Sequence, residues 1–392
     1  MKWTTASLAL GALVSSCGGR YDGDGAPDAA TDARRDAATD GGKADATQND
    51  GGHPDACPPG SVACGPICAD LGTDPKNCGA CGADCEGTTC EGGQCTMVFV
   101  QGAIPVALAV DATNLYWTNG SSSPEHGMLM KVPKSGGQQP TPLAFNQYQP
   151  GGLAVSATDA YWSTNAPDAG IMTMPTLGGA PKLVVGNLLD GIQRVAIDTQ
   201  RVYWASDYAP GVLAAAPLDG GAPTVLAANQ ASPHDFAIGA THLYWTVETG
   251  IMRMPLGGGP PEALATARKP TALAIDGASV YWLELGTPGG QYLDGALVKM
   301  PLGGGPQTVL ASGLRWTSSL ALDATYAWWT NAGTQSSGFT DGTVMRVPLA
   351  GGPVVTLATK QNLCRGLVLD AKRAYWINDA SGVPGLIMRA TK

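Results

Sequence analysis

Residues 108–120 read LAVDATNLYWTNG, and close copies recur as LAIDGASVYWLEL at 273–285, LALDATYAWWTNA at 320–332 and LVLDAKRAYWIND at 367–379. Each copy is an apolar run ending in Asp, a short turn and an aromatic pair. The pairs Tyr116-Trp117, Tyr161-Trp162, Tyr203-Trp204, Tyr244-Trp245, Tyr281-Trp282, Trp328-Trp329 and Tyr375-Trp376 follow at spacings of 45, 42, 41, 37, 47 and 47 residues. A unit of this length, seven times repeated, predicts a propeller or an array. After each pair come a variable stretch, a Met-rich segment ending in Pro (MRMP, VMRVP), a glycine turn (PLGGGP) and a short strand such as TVLA. Four short strands joined by turn chemistry, too small for a separate core, make one blade. No helical 3.6-residue pattern of useful length interrupts them. The fold class is therefore all-β, with a seven-bladed β-propeller over residues 96–392.

The seventh unit stops at LIMRATK and lacks the glycine turn and final strand. The spare strand-like segment TMVFVQG, residues 96–102, is predicted to fill that edge and close the ring. Composition agrees with strands and turns. The 392 residues include 54 Gly and 29 Pro, only 14% are charged, and Trp outnumbers Phe ten to four. Of the net charge of -9, -6 falls between Tyr21 and Ala56, and no basic stripe of the kind a nucleic-acid binder needs appears, so no nucleic-acid partner is expected.

The N-terminus, MKWTTASLALGALVSSCGG, has Lys2, a short apolar run and small residues leading to Cys17. The run is too short to span a bilayer. VSSC resembles a bacterial lipobox, with Val14 where Leu is usual. The resemblance implies a signal peptide at 1–16, cleavage before Cys17 and lipidation (palmitate) of that cysteine. The alternative is a plain secretory signal. Gly18 in place of Asp points, by the same resemblance, to the outer membrane or cell surface. From Gly18 to Ala56 there is no Leu, Ile, Val or Phe, and such a segment cannot offset its ordering entropy by burial. Residues 17–56 are thus expected to carry the lipid and form a disordered Asp/Ala/Gly tether, with the membrane reached through the lipid anchor.

Residues 57–95 pack Cys57, Cys64, Cys68, Cys78, Cys81, Cys85, Cys90 and Cys95 into 39 positions. In an exported chain this predicts four disulfides, with 105 connectivities open. Zinc is the rival, since Cys78 and Cys81 form a CxxC pair, but no His lies in the segment. The run CADLGTDPKNCGACGADC resembles the cysteine-rich module of plant stigma-specific proteins, frequent also in secreted proteins of soil myxobacteria. That resemblance implies a rigid spacer or adhesion knob.

The repeat resembles the YWTD propeller repeats of the LDL receptor family, and more closely the seven-bladed propellers of bacterial lipoproteins punctuated by YWT and GG. The Asp of the YWTD motif is mostly absent: Asn119, Asn331, Asn378, Val247 and Glu284 stand in its place. The resemblance implies architecture, not ligand.

Inside the repeat, Asp111, Asp198, Asp276, Asp323 and Asp370 end the first strand before a tight turn and are read as caps of backbone donors, with calcium ligation the rival. The aromatic pairs are read as packing between blades. The four His fit no zinc motif, and no GxSxG elbow or phosphate loop occurs, so no cofactor and no metal are expected. Cys364 is either a small buried thiol or a partner for Cys17. Irregularity marks one face. The insertions LGTPGGQYLDGA and NAGTQSSGFTDG lie there, with Arg194, His234, Lys269, Trp316 and Arg365 expected just before the inner strands of five units. These five are the ligand-binding candidates. Four of them can carry positive charge, which points to an anionic or carbonyl-rich partner such as an acidic glycan. The leading reading is a monomeric, surface-anchored binding or adhesion protein for a protein or glycan. The alternatives are a propeller-fold lyase or hydrolase, hinted at by His234 and Asp235 at the channel mouth, and a purely structural envelope protein.

Overall fold

A computed structural model describes residues 57–392, except 80, 83, 86–88, 92, 122, 124–125, 166–168, 189–190, 207–209, 288–291 and 380–384. Cys17, the signal segment and the tether lie outside the described residues. The remainder is almost wholly antiparallel β-sheet, with one 3-10 turn at Gln335–Ser337.

Seven sheets form seven blades, each ordered along the chain from inner to outer strand. Blade one is typical: Pro105–Val110 is innermost, Asn114–Asn119 carries the aromatic pair, Gly127–Pro133 is third and Thr141–Gln147 is outermost. Blade seven is built from both ends of the described chain. Arg365–Leu369, Arg373–Asn378 and Gly385–Thr391 pair in turn, and the outer place is taken by Gln94–Ala103, with Met388 opposite Val98. The ring is closed as the sequence predicted. It also carries more: Thr89–Glu91 pairs with Gln94–Ala103, so a hairpin of the cysteine-rich segment adds a fifth strand to this blade.

The paired aromatics answer why the motif recurs. Successive residues of a strand face opposite sides, so Tyr and Trp of one pair enter two different interfaces. Seven apolar clusters result, one per interface. Trp162 meets Tyr116 of the preceding blade, Trp204 meets Tyr161, and Trp117 meets Tyr375 across the closing seam. Trp328 replaces Tyr against Trp376. Trp117, Trp162, Trp245, Trp282, Trp329 and Trp376 are at most 1% exposed. An aromatic that buries 150–250 Å² stabilises by roughly 4–6 kcal/mol as an upper bound, so the repeated pair dominates cohesion.

The aspartates do cap their turns. Asp111 Oδ1 accepts the N–H groups of Thr113 and Asn114, while Oδ2 accepts the Tyr116 hydroxyl at 2.7 Å. Asp198–Tyr203, Asp276–Tyr281 and Asp370–Tyr375 repeat this, and Asp323 takes Trp328 Nε1 instead. Burial alone would raise the Asp111 carboxyl, but these donors outweigh it and hold it below the usual range. The same burial and the adjacent carboxylate push Tyr116 up to about 12. The glycine turns need left-handed backbone: Gly258 and Gly259, for example, have φ of 97° and 139°.

The cysteine-rich segment is bridged Cys57–Cys68, Cys64–Cys81, Cys78–Cys90 and Cys85–Cys95. The sulfurs of Cys78, Cys85 and Cys95 lie within 4.8 Å of one another, but oxidation to bridges removes the thiolates that zinc would require. Cys364 is a buried free thiol. Its Sγ–H points at the Asn331 carbonyl oxygen, 3.0 Å away, and burial pushes its pKa up to about 12.

Candidate functional site

The inner strands of all seven blades surround a central channel whose mouth holds a cavity of about 200 Å³. Gln193, Arg194, His234, Asp235, Thr271 and Ser318 are among its lining. Three of the five candidates sit at or beside this mouth, and two of those are tied into the scaffold. Arg194 Nε of blade three meets Asp235 Oδ1 of blade four at 3.0 Å, and Asp235 Oδ2 accepts the Leu273 N–H of blade five at 2.9 Å. Asp235 Oδ1 also takes its neighbour's N–H, from Phe236.

Arg365 belongs to the seam. Its guanidinium donates to the carbonyl oxygens of Val106 and Pro105 in blade one and to Asp379 Oδ2. Other interfaces have counterparts near the channel. Thr118 Oγ1 donates to the Gly151 carbonyl oxygen, Ser163 Oγ to that of Ile192, Thr317 Oγ1 to that of Glu284, and Gly366 N–H to Ser319 Oγ. The polar groups around the mouth therefore form an inter-blade belt, and the charges of Arg194 and Arg365 are neutralised within it. His234 is exposed at the mouth.

Lys269 and Trp316 stand elsewhere. Each occupies the position just before an inner strand, with φ of 51° and 47°, a left-handed conformation unusual for these residue types. The same position carries Gln149, Ser232 and Leu363 in other blades, at φ of 41°, 50° and 42°, and Gly191 at 81°. This backbone turn aims the side chain along the insertion-bearing face rather than into the channel.

The two insertions meet these residues. Both share the pattern Gly-Thr-x4-Tyr/Phe-x-Asp-Gly, at 286–295 and 333–342. Asp294 Oδ1 accepts the Thr287 N–H and Oδ2 its hydroxyl; Asp341 does the same for Thr334. Gly333, at φ of 107°, lies under the Asp341 carboxylate, where a Cβ would collide at 2.6 Å. Thr287 and Thr334 are thus each held by the carboxylate of their own insertion, and Tyr292 and Phe339 contact the start of the next blade. Trp316 N–H donates to the Tyr292 carbonyl oxygen, and Leu363 N–H to that of Phe339.

The outcome is an arc across blades five to seven. The Lys269 ammonium stands 5.5 Å from the Tyr292 ring centroid. Tyr292 meets Trp316 edge-on at 4.7 Å, and Trp316 meets Phe339 at 5.5 Å with planes at 90°. Leu363 ends the arc against the Phe339 loop. Tyr292, Trp316 and Phe339 are half-buried, Lys269 is exposed, and Leu293 beside Tyr292 is 41% exposed. Blades two to four offer only Gln149, Gly191 and Ser232 at the corresponding turn.

The sequence named Lys269, Trp316 and both insertions, and the structure brings them together. It separates them from Arg194 and Arg365. The shared loop pattern was the overlooked signal for Tyr292 and Phe339 as site residues, and a Gln fifteen positions before Trp marks another overlooked contact. Trp162, Trp245 and Trp376 each donate Nε1–H to Gln147, Gln230 and Gln361, which end the outer strand of the preceding blade, at 2.9–3.0 Å.

No protein-family model and no curated protein matches the chain. Solved structures do. The AfRom2 CNH domain aligns with a TM-score of 0.53 at 9% identity, over 76% of this chain and 99% of that one. A Mycobacterium tuberculosis puromycin-hydrolyzing peptidase gives 0.53 at 15% identity, over 73% of this chain and 50% of that one, so the chain spans half of that protein. The computationally designed Ika8 protein gives 0.50 at 14%, over 72% and 84%. At such identities the likeness shows the propeller fold alone.

Proposed function

We propose that this chain is a lipid-anchored envelope protein whose propeller captures a protein or glycan partner on its insertion-bearing face. The observation that carries the reading is the Lys269–Tyr292–Trp316–Phe339–Leu363 arc. It is built from two blade insertions, occurs on three adjacent blades, and leaves aromatic surface in partial contact with solvent. Loops set on a rigid scaffold are where binding commonly resides.

The anchor rests on the VSSC segment and Cys17, and the localisation at the outer membrane or cell surface rests on the same motif. A monomer is proposed, because the ring is closed within one chain and no blade waits to be completed by a second copy. Against the lyase or hydrolase reading stands Asp235, whose two carboxylate oxygens are engaged by Arg194 and by backbone N–H groups.

Capture from envelope extracts by the full-length chain tests the binding reading. Replacing Trp316 and Phe339 by Ala should abolish capture with little change in melting temperature. Capture unaffected by that double replacement would remove the arc from consideration. For the anchor, radiolabelled palmitate should enter the wild type in a lipoprotein-competent bacterium, and Cys17→Ala should shift the protein to the soluble fraction.

A further inference from the structure

We infer that the partner on this face is a carbohydrate chain, one unit of which is read in a cleft between blades five and six. The inference deepens the binding reading above and rests on it. The cleft measures about 350 Å³, and its lining includes Leu314, Arg315, Asn331, Asp341, Thr343 and Met345. At roughly 30 Å³ per water, that is far more than one ordered water would fill.

A buried acceptor lines the cleft. Asn331 is 6% exposed, and its amide NH2 donates to Thr343 Oγ1 at 2.9 Å and to Met345 Sδ at 3.2 Å. Its Oδ1 has no hydrogen-bond partner among the described residues, and neither has Trp329 Nε1 on the same strand. For Trp329 Nε1 the cause is one substitution within the repeat, whereas Asn378 Oδ1, like Asn331 Oδ1, has no partner even beside Gln361. In the next interface Gln361 Oε1 accepts both Trp376 Nε1–H and Asn378 Nδ2–H. The corresponding end of the outer strand is Leu314 here, opposite Gly295 as Gln361 is opposite Gly342. A carbon side chain thus stands where two donors elsewhere find an oxygen. An unpartnered buried polar atom costs about 1–3 kcal/mol, which a ligand that supplies the partner would offset.

Chemistry narrows the ligand. A hydrocarbon would leave Asn331 Oδ1 unmet. An anion would face that oxygen and the Asp341 carboxylate, and a cation would face the Arg315 guanidinium. Arg315 and Asp341 are 3.9 Å apart and 59% and 36% exposed, open enough to bond a third group. Leu314 and Met345 give an apolar floor. A neutral polyhydroxyl ring meets all of these: its hydroxyls both donate and accept, and its C–H face covers carbon. Trp316 adjoins Arg315 in sequence, and Phe339 shares the loop of Asp341. Neighbouring sugar units would therefore lie along the aromatic arc.

The test uses the purified full-length chain on immobilised neutral oligosaccharides built from hexoses and from N-acetylhexosamines, followed by calorimetry with those retained. Arg315→Ala and Trp316→Ala should each weaken binding about tenfold or more, and Asn331→Leu should abolish it. The two exposed-site variants keep the test valid if Asn331→Leu fails to fold. Retention of none of the sugars, or equal retention by wild type and the two exposed-site variants, overturns the inference. A photo-crosslinking residue at Leu293 separates the two readings. Crosslinking to an envelope protein without sugar retention would uphold a binding face and overturn the carbohydrate, whereas failure of both would overturn both.

Discussion

Arg365 Nη1 of blade seven donates to the carbonyl oxygen of Val106 in blade one at 2.9 Å, joining residues 259 positions apart. With Nη2 on Pro105 O and Asp379, the guanidinium fastens the seam at the channel end. Arg365→Ala should lower stability by about 1.5–3 kcal/mol, as expected for lost hydrogen bonds to a charged donor. The urea midpoint should fall while the partner-binding constant stays unchanged. Lost binding at unchanged midpoint would return Arg365 to the site.

Gln361→Leu recreates at the interface of blades six and seven what Leu314 already imposes one interface earlier. It should cost about 1–3 kcal/mol, since Trp376 Nε1–H and Asn378 Nδ2–H both lose their acceptor. Gln230→Leu removes one such bond and should cost less. Thermal melts of the two variants, compared side by side, check the order.

The capping aspartates set the acid limit. Their folded pKa values are depressed, so their stabilisation is present above the unfolded value near 4 and is lost as pH falls through the folded one. Asp323, held down to about 2 by hydrogen bonds from Lys392, Thr325, Tyr326 and Trp328 that outweigh its burial, defines the lower end. Melting temperature should drop between pH 4 and about 2, and Asp323→Asn should flatten that drop.

The tyrosines set the alkaline limit with the opposite sign. Tyr116, Tyr203 and Tyr375 are raised to about 12, so their contribution is full below the unfolded value near 10 and declines as pH rises towards 12. Ultraviolet titration of phenolate formation should show these three ionising together with loss of the near-ultraviolet dichroism of the buried Trp residues.

Cys364 should resist alkylation in the native chain at pH 8 and react fully in denaturant, as read by peptide mass mapping. Its burial and raised pKa deny both access and thiolate. Rapid native labelling would contradict its placement.

The seven aromatic pairs revealed the ring because each pair must serve two interfaces, which leaves the same mark in every unit. The closing strand was legible for a similar reason: seven units contained one strand too few. The candidate site was legible only in part. Lys269 and Arg365 both precede or begin an inner strand, but a displacement of one or two residues turns one outward along the face and the other into the seam. No spacing in the chain shows that the partners of Arg365 are backbone carbonyls. The disulfide pairing was equally hidden, because the eight cysteines have no periodicity, and the fifth strand lacks the apolar alternation by which strands are recognised.

Gln94–Ala103 is also the route by which any load applied upstream of residue 57 enters the propeller. Its registered pairing with Gly385–Thr391 is antiparallel, so a pull along this strand shears many hydrogen bonds at once instead of opening them singly. Cys78–Cys90 and Cys85–Cys95 limit how far the segment ahead of it can extend. Force entering from upstream of residue 57 is therefore met first at the closing blade, where it loads a whole ladder of backbone hydrogen bonds in shear.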